Sequence, residues 1–484
     1  MPQIVSQPES TGVTLRPLCV DLDGTLVKSD TLVDSLLALV RTRPLLLIAL
    51  PGHLLRGKAA FKAFVTESVS LDVAHLPYNR AVLDFLQQQH AQGRAIYLAT
   101  AADLTLARHV ADHLGIFTGV LGSDGATNLT ANKKLDGLRT RLGPGEFDYI
   151  GNALPDLPLL AQATQAMVAN PSLALRLKLR SRGIHPAQEF RERSSAVTAL
   201  LRAMRPHQWA KNLLIFLPLL LSHAFGLGRL LTAALAFACF SLTASATYIV
   251  NDLLDIETDR RHPQKRKRPF ASGDLSPFTG AALAAVLLLL ALGGVRLLPA
   301  TFYGWLLLYL VMTLAYSTYF KRIPLVDVLM LSGLYTLRLV AGSAATDSYI
   351  SHWLGGFSVF LFFSLAIVKR FAELENLRAR GSVPKNGRGY LVADIEQLRS
   401  FGTSSAFAAV VIFAIYISGS DVVKLYRNPT MLWLIMPLLV LWLCRVWLLA
   451  SRGKLHEDPV VFALTDRMSL LIGVGVAAIA VLAI

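Results

Sequence analysis

Three aspartates recur at intervals of three and four residues in Asn251-Asp252-Leu253-Leu254-Asp255-Ile256-Glu257-Thr258-Asp259. On a helix advancing about 100° per residue, Asp252, Asp255 and Asp259 fall within roughly 60° of one another. Carboxylates so placed repel unless a cation joins them, and Mg²⁺ is commonly held by a few carboxylates together with substrate phosphate oxygens. The motif ends a strongly apolar stretch, and acids at membrane depth are costly and usually mark a site. It is followed by Arg260, Arg261, Lys265, Arg266, Lys267 and Arg268. That run suits the neutralisation of a departing diphosphate, although a basic loop on the cytoplasmic side is the plainer account of it.

A second constellation lies near the amino terminus. Pro17 to Leu22 reads as a buried strand that breaks into Asp23-Gly24-Thr25, so Asp21 and Asp23 sit at a strand end. Further apolar strands are expected at 95–99, 147–150 and 166–169, separated by helical stretches, which is the alternation of an α/β domain with a parallel sheet. Ligands of such sheets bind beyond the carboxyl ends of the strands, where Asp21, Asp23, Thr100, Asn152 and Asp156 all fall.

Positioning these two groups requires two different solvents. The chain is 54% hydrophobic and 16% charged, with its long apolar runs after about residue 211. Nine spans are expected, at 212–225, 229–250, 278–297, 301–319, 325–345, 352–369, 402–419, 430–450 and 468–484, the first short. Lysines and arginines crowd the loops on one side, including Lys321, Arg322 and the loop from Lys369 to Arg399. The positive-inside rule then puts the amino terminus and the aspartate motif in the cytoplasm and the carboxyl terminus outside. The expected organisation is a polar tail over 1–16, an α/β domain over 17–185, a basic linker over 186–210 and an all-α polytopic membrane domain over 211–484. The net charge of +15 follows the juxtamembrane loops, which points to membrane lipids and phosphate ligands and away from nucleic acid. Cys19, Cys239 and Cys444 have neither metal-ligand nor disulfide spacing and read as packing residues. Met1 to Arg16 lacks the apolar core of a signal peptide.

Residues 30–92 read as a helical cap over the strand ends. Within it, Pro44 to Leu55 is apolar but too short to cross a bilayer. Two readings stand open: a segment lying on the membrane or against the membrane domain, with Arg41, Arg43, Arg56 and Lys58 meeting headgroups, or an ordinary buried cap helix.

NDxxDxxxD, followed by Lys267-Arg268-Pro269 and Gly273, resembles the signature of the UbiA superfamily of intramembrane prenyltransferases, whose usual span count is nine. The resemblance implies that Asp252, Asp255 and Asp259, with Asn251, hold a Mg²⁺-diphosphate. RPxQWxKN over 205–212, Lys321-Arg322-Ile323-Pro324-Leu325-Val326-Asp327, the segment around Arg338 and Lys369-Arg370-Phe371 resemble one branch, the polyprenyl-phosphate phosphoribosyltransferases. For that branch the diphosphate belongs to phosphoribosyl pyrophosphate (PRPP), and a polyprenyl phosphate attacks the ribose. Arg205, Lys211, Asn212, Lys267, Arg268, Lys321, Arg322, Arg338, Lys369 and Arg370 are then candidates for binding phosphate. Asp327 and Glu373 are second metal ligands or partners of these cations. Arg338, inside a span, reads either as a phosphate ligand or as half of a buried ion pair. A second spaced aspartate motif, usual in the superfamily, is missing from the loop that carries Glu373, Glu375, Asp394 and Glu396.

Residues 15–185 resemble the haloacid dehalogenase-like (HAD) phosphotransferases. The resemblance implies Asp21 as nucleophile, Asp23 as general acid and base, Thr100 as phosphate ligand, and Lys133 or Lys134 as the lysine that steadies the phosphoryl group. Mg²⁺ would be bound by Asp21, Asp23, Asn152 and Asp156. Gly151-Asn152-Ala153-Leu154-Pro155-Asp156 departs from the family's GDxxxD, which removes one charge from the metal site. The combined expectation is a bifunctional enzyme that transfers phosphoribose to polyprenyl phosphate and then removes the 5-phosphate. The rivals are a transferase using prenyl diphosphate and an aromatic or lipid acceptor beside an inert HAD domain, and a transporter regulated by that domain.

Overall fold

The computed structural model describes residues 15–143, 145–223, 225–379, 388–455 and 459–484. Nearly all of the expected polar tail, and the middle of the loop after Lys369, fall outside them. The chain forms two compact units, one of Met1–Ala203 with Asp252–Ala281, the other of Met204–Asn251 with Ala282–Ile484. The segment from the first aspartate of the motif onward, Asp252–Ala281, therefore belongs with the amino-terminal domain, across the boundary expected at residue 211.

The first unit is built on six parallel strands in the order β3-β2-β1-β4-β5-β6: β1 Leu18–Val20, β2 Ile96–Asp103, β3 Gly119–Ser123, β4 Asp148–Gly151, β5 Ala166–Ala169 and β6 Gln188–Phe190. Successive residues of β1 enter opposite cores, as the pleat requires. Leu18 and Val20 pack with Ile96, Leu98 and Val110, while Cys19 packs with Tyr149, Leu159 and Val168. The sequence reading anticipates the four central strands. The two it misses are the edges, where β3 is glycine-bearing and only half-buried and β6 buries Phe190 alone. Since β6 completes the sheet, the domain extends past residue 185 into the supposed linker.

The helices of this unit's first segment are α1 Thr31–Thr42, α2 Leu50–Leu55, α3 Lys58–Ser68, α4 Arg80–Ala91, α5 Leu104–Leu114, α6 Asn132–Leu142, α7 Leu157–Gln162, α8 Leu173–Ser181 and α9 Ala196–Met204. Asp30 caps α1, its carboxylate accepting from the N–H groups of Leu32 and Val33. The cap is shorter than expected. Val82, Leu83 and Leu86 of α4 lie in the same core as Leu18, so α4 is a crossover helix of the sheet.

The chain beyond continues as α10 Leu217–Leu221, α11 Leu227–Leu254, α12 Ile256–Arg261, α13 Pro277–Val295, α14 Ala300–Thr318, α15 Val326–Thr346, α16 His352–Ala379, α17 Ile395–Ile417, α18 Ser420–Val423, α19 Ile435–Ser451, α20 Pro459–Thr465 and α21 Arg467–Ala483. Among the described residues seven helices are long and apolar enough to span a membrane. They become eight if α20 and α21, bent by 79°, count as one span. The expected span at 212–225 is absent in that form. A 3₁₀ segment, Pro206–Phe216, gives way to the short α10, with a proline in the first turn of each. Proline starts a helix readily and cannot continue one, so two short pieces replace one long helix.

Candidate functional site

At the carboxyl end of β1, burial makes charge expensive and the neighbours decide how it is carried. The Nζ of Lys134 donates to Asp21 at 2.8 Å, to Asp156 at 3.2 Å and to the Tyr149 hydroxyl at 3.1 Å. Burial alone would lower the lysine's pKa, but Asp21 and Asp156 hold it above its usual value. Burial raises Asp21 up to about 6, with Lys134 pulling the other way. Burial, reinforced by Asp30, pushes Asp23 up to about 8, against the N–H of Thr31, which donates to its Oδ1 at 2.8 Å. One carboxyl is thus biased toward its charged form relative to the other, which is the division an attacking group and a proton donor need.

The remaining positions resolve further. Lys134 is the central lysine, and Lys133 is exposed on α6. Lys134 shares the buried face of α6 with Leu138, four residues on, a spacing that could have distinguished it. Thr100 is fully buried within β2, which continues past the expected end at residue 99 to Asp103, and its Oγ1 accepts from the N–H of Ala102. Asp156 has both oxygens engaged: Oδ1 accepts from Lys134 and Tyr149, Oδ2 from the N–H groups of Asn152 and Ala153. It positions the lysine and the loop. Asn152 lies against the turn after the acids, where a Cβ on Gly24 would stand 2.0 Å from its Nδ2. Gly24, at φ +77°, admits both that approach and the left-handed backbone.

Residues the sequence reading passed over complete the pocket, a cavity of about 460 Å³. Lys62 of α3 reaches into it, with Nζ donating to the carbonyl of Ala101 at 2.6 Å and to Asn128 at 2.9 Å. Arg193, Gly273 and the stretch Leu275 to Phe278 also line it. Gly273, at φ +75°, lets the chain pass Lys28 and Ser29, where a Cβ would stand 2.8 Å from Lys28 Cβ. No periodicity marks Lys62 as facing a site, and its role emerges only from the tertiary fold.

The aspartate motif is bent. α11 ends at Leu254 and α12 starts at Ile256, leaving Asp255 at the break with φ −100° and ψ 6°. Asp252 and Asp259 converge nonetheless, because Nη1 of Arg268 donates to both, at 3.0 and 2.6 Å. Both acids are buried, while Arg268 is 26% exposed at its side chain. Burial raises the Asp259 pKa, and Arg268 opposes that shift. Asp255 is joined to Asp259 through its backbone, its carbonyl accepting from the Asp259 N–H at 2.8 Å. Asn251 accepts from Lys321 at 3.5 Å. Arg260 points elsewhere, clasping Asp34 of α1 at 2.9 and 3.1 Å and Ser29 at 3.2 Å. Lys267 is exposed.

Among the described residues, no group of three or more His, Cys, Asp or Glu side chains forms one ligand set. In each motif two acids converge on a protein cation instead. The donors suit Mg²⁺ chemically, being hard oxygens of carboxylates and one amide. Asp21, Asp23 and Asn152 would hold it in one centre, and Asp252, Asp255 and Asp259 in the other.

In the second unit, Arg338 is 5% exposed, and among the described residues its hydrogen bonds go to neutral groups: Asn212 Oδ1 at 2.8 Å, the Tyr309 hydroxyl at 3.1 Å and the Leu334 carbonyl. The rings of Tyr309 and Tyr335 flank it. The ion-pair alternative for Arg338 is therefore not what the structure builds. Arg370 is the opposite case. It pairs with Asp327 at 2.6 Å and with Glu373 at 2.8 Å, and Tyr390 donates its hydroxyl to Asp327. Arg370 and Asp327 neutralise each other in the interior, and Asp327 and Glu373 serve as partners of the cation. Arg205 stacks over Tyr248, Lys211 is buried over Tyr335, Lys369 is half-buried and Arg322 is exposed. Trp209 donates to Ser245 at 2.9 Å, which fastens the 3₁₀ segment to α11.

A decaprenyl-phosphate phosphoribosyltransferase of Mycobacterium tuberculosis is 34% identical over 231 residues, covering 46% of this chain and 75% of that protein. The uncharacterized protein y4nM of Sinorhizobium fredii is 38% identical over 470 residues, 96% of this chain and 91% of its own length. A structural search also returns a HAD family hydrolase of Salmonella enterica, 15% identical with a TM-score of 0.26, covering 34% of this chain and 64% of that one. The model of the UbiA prenyltransferase family matches residues 212–471, more than half of the chain. The chain is an integral membrane protein and belongs to the UbiA prenyltransferase family.

Proposed function

We propose that the protein transfers 5-phosphoribose from PRPP to a polyprenyl phosphate and then removes the 5-phosphate, giving polyprenyl-phosphoryl-ribose. The observation that carries this reading is the pair of buried acid centres, Asp252 and Asp259 around Arg268 and Asp21 and Asp156 around Lys134. The likeness to a phosphoribosyltransferase supports the choice of substrates. So does Arg338, a buried guanidinium whose partners are all neutral and whose charge a phosphate would balance.

In the first step an oxygen of the lipid phosphate bonds to ribose C1 as the bond from C1 to the diphosphate breaks. A phosphate monoester has a second pKa of about 6, so no strong base is required. Asp252, Asp255, Asp259 and Asn251 orient the diphosphate, and Arg268, exposed on one side, is placed to follow its charge. In the second step a carboxylate oxygen of Asp21 attacks the 5-phosphate, the bond from phosphorus to O5 breaks, and Asp23 delivers a proton to O5. Asp23 then takes a proton from water, which releases inorganic phosphate from Asp21. Lys134 and Thr100 hold the transferring group. Bound Mg²⁺ would supply charge neutralisation on the phosphate oxygens in both centres. Both steps take place on the cytoplasmic face of the inner membrane, in keeping with the basic loops on that side.

The test is to incubate purified protein with Mg²⁺, PRPP and polyprenyl phosphate and resolve the lipids by mass. Wild type should yield a ribosyl lipid, Asp21→Asn a phosphoribosyl lipid and Asp252→Ala neither. Absence of any lipid product from PRPP, with product from prenyl diphosphate instead, would overturn the reading.

A further inference from the structure

The most exposed apolar stretch of the first unit is the one left open by the sequence. Pro44–Ala49 forms a 3₁₀ segment and Leu50–Leu55 forms α2, and none of their residues is buried. Leu45 and Ile48 are each 82% exposed, Leu54 is 55% and Leu55 is 90% exposed. The buried-cap-helix alternative therefore fails. Twelve residues of such helix extend only about 20 Å, short of the roughly 30 Å hydrocarbon core.

Charge says what this face meets. From Ser35 to Thr66 the chain has no Asp or Glu, but it has Arg41, Arg43, Arg56, Lys58 and Lys62. Arg43, Arg56 and Lys58 flank the apolar stretch, are exposed, and form no ion pair among the described residues. Connectivity says where it lies. α1 leads into the stretch and is fastened to α12 twice, through Asp34 with Arg260 and through Arg41, which donates to Thr258 at 3.3 Å. One residue, Asp255, separates α12 from a membrane-spanning helix, so α1 is tied to chain that has just left the bilayer.

We propose that Pro44–Leu55 is a monotopic membrane-docking element. It sinks Leu45, Ile48, Leu54 and Leu55 below the headgroups of an anionic leaflet, with Arg43, Arg56 and Lys58 on the lipid phosphates. His53 stacks on Phe64 of α3 at 3.9 Å, and α3 carries Lys62 into the pocket. Docking thereby ties the pocket to the depth at which the headgroup of a lipid-linked substrate travels. The inference stands on exposure and charge and does not require the phosphoribosyl reading.

The test uses the full chain in vesicles of phosphatidylcholine with phosphatidylglycerol. On a Cys444→Ser background, an environment-sensitive fluorophore is placed at Ile48→Cys, or at Gln87→Cys on the exposed face of α4 as a control. The fluorophore at 48 should be quenched by lipids carrying a nitroxide high on the acyl chain and shielded from aqueous iodide, and the one at 87 should behave in reverse. Changing Arg43, Arg56 and Lys58 together to Gln should cut the lipid quenching at 48 by at least about threefold. Iodide quenching at 48 equal to that at 87 would overturn the proposal. So would shielding from both quenchers, which would mean that protein covers the face.

Discussion

Each of the two acid centres has two buried aspartates drawn onto one cation, but the cations differ in how firmly they are held. Lys134 is 4% exposed at its side chain and donates to two carboxylates and a phenol. Arg268 is 26% exposed and reaches its two acids with a single nitrogen. A buried lysine with three partners is a fixed part of the site, whereas an arginine open on one side can yield to a metal ion and follow a leaving group. The comparison teaches that similar clasps serve different ends. Under the proposed function, one would present a nucleophile in a set geometry, and the other would keep two acids from repelling until substrate arrives.

The comparison breaks first if the two centres prove interchangeable. Asp252→Ala should abolish lipid product altogether, while Asp21→Asn should leave transfer intact and depress phosphate release at least about a thousandfold, as expected for a lost nucleophile. Mass analysis of the lipids separates these outcomes. Next in size is stability. Lys134→Ala strands Asp21 and Asp156 in the interior and should cost about 3–5 kcal/mol, of which added Mg²⁺ recovers only the smaller part, because Asp156 stays without its cation. Arg268→Ala should cost about 1–2 kcal/mol and regain most of it in Mg²⁺, because its acids lie where the ion can replace it. Thermal unfolding with and without Mg²⁺ decides, and equal recovery in both variants would collapse the distinction. Gly24→Ala, which must move Asn152 and strain a left-handed turn, should destabilise by about 1–3 kcal/mol and slow phosphate release while sparing transfer. The smallest effect is expected from Asn152→Asp. By restoring a negative charge it should lower the Mg²⁺ needed for half-maximal phosphate release by up to about tenfold, read from metal titrations.

What was legible in the sequence was what is local. Asp21 and Asp23 at a strand end, the four central strands, and the aspartates at the end of a span all follow from a few neighbouring residues. Partners that meet only in the folded chain were not legible. Arg268 lies nine residues from Asp259 and sixteen from Asp252, beyond any helical repeat, and the role of Asp156 depends on Tyr149 and Lys134 arriving from other elements. The edge strands lacked apolar runs because they are half-solvated. The first expected span failed for a different reason, since hydropathy registered its leucines but not the prolines that divide it.

The attachment of 252–281 to the amino-terminal domain has a consequence for the order in which the molecule can be made. Asp34 and Arg260 are 226 residues apart, so at roughly 5–20 residues per second the ribosome needs on the order of ten seconds or more to deliver the arginine after the aspartate emerges. During that interval α11 must enter the bilayer, and the nascent domain carries an acid whose counter-charge has yet to be synthesised. The domain can complete itself only after the first long span is in place, which makes membrane insertion a step in the folding of the sheet-bearing unit.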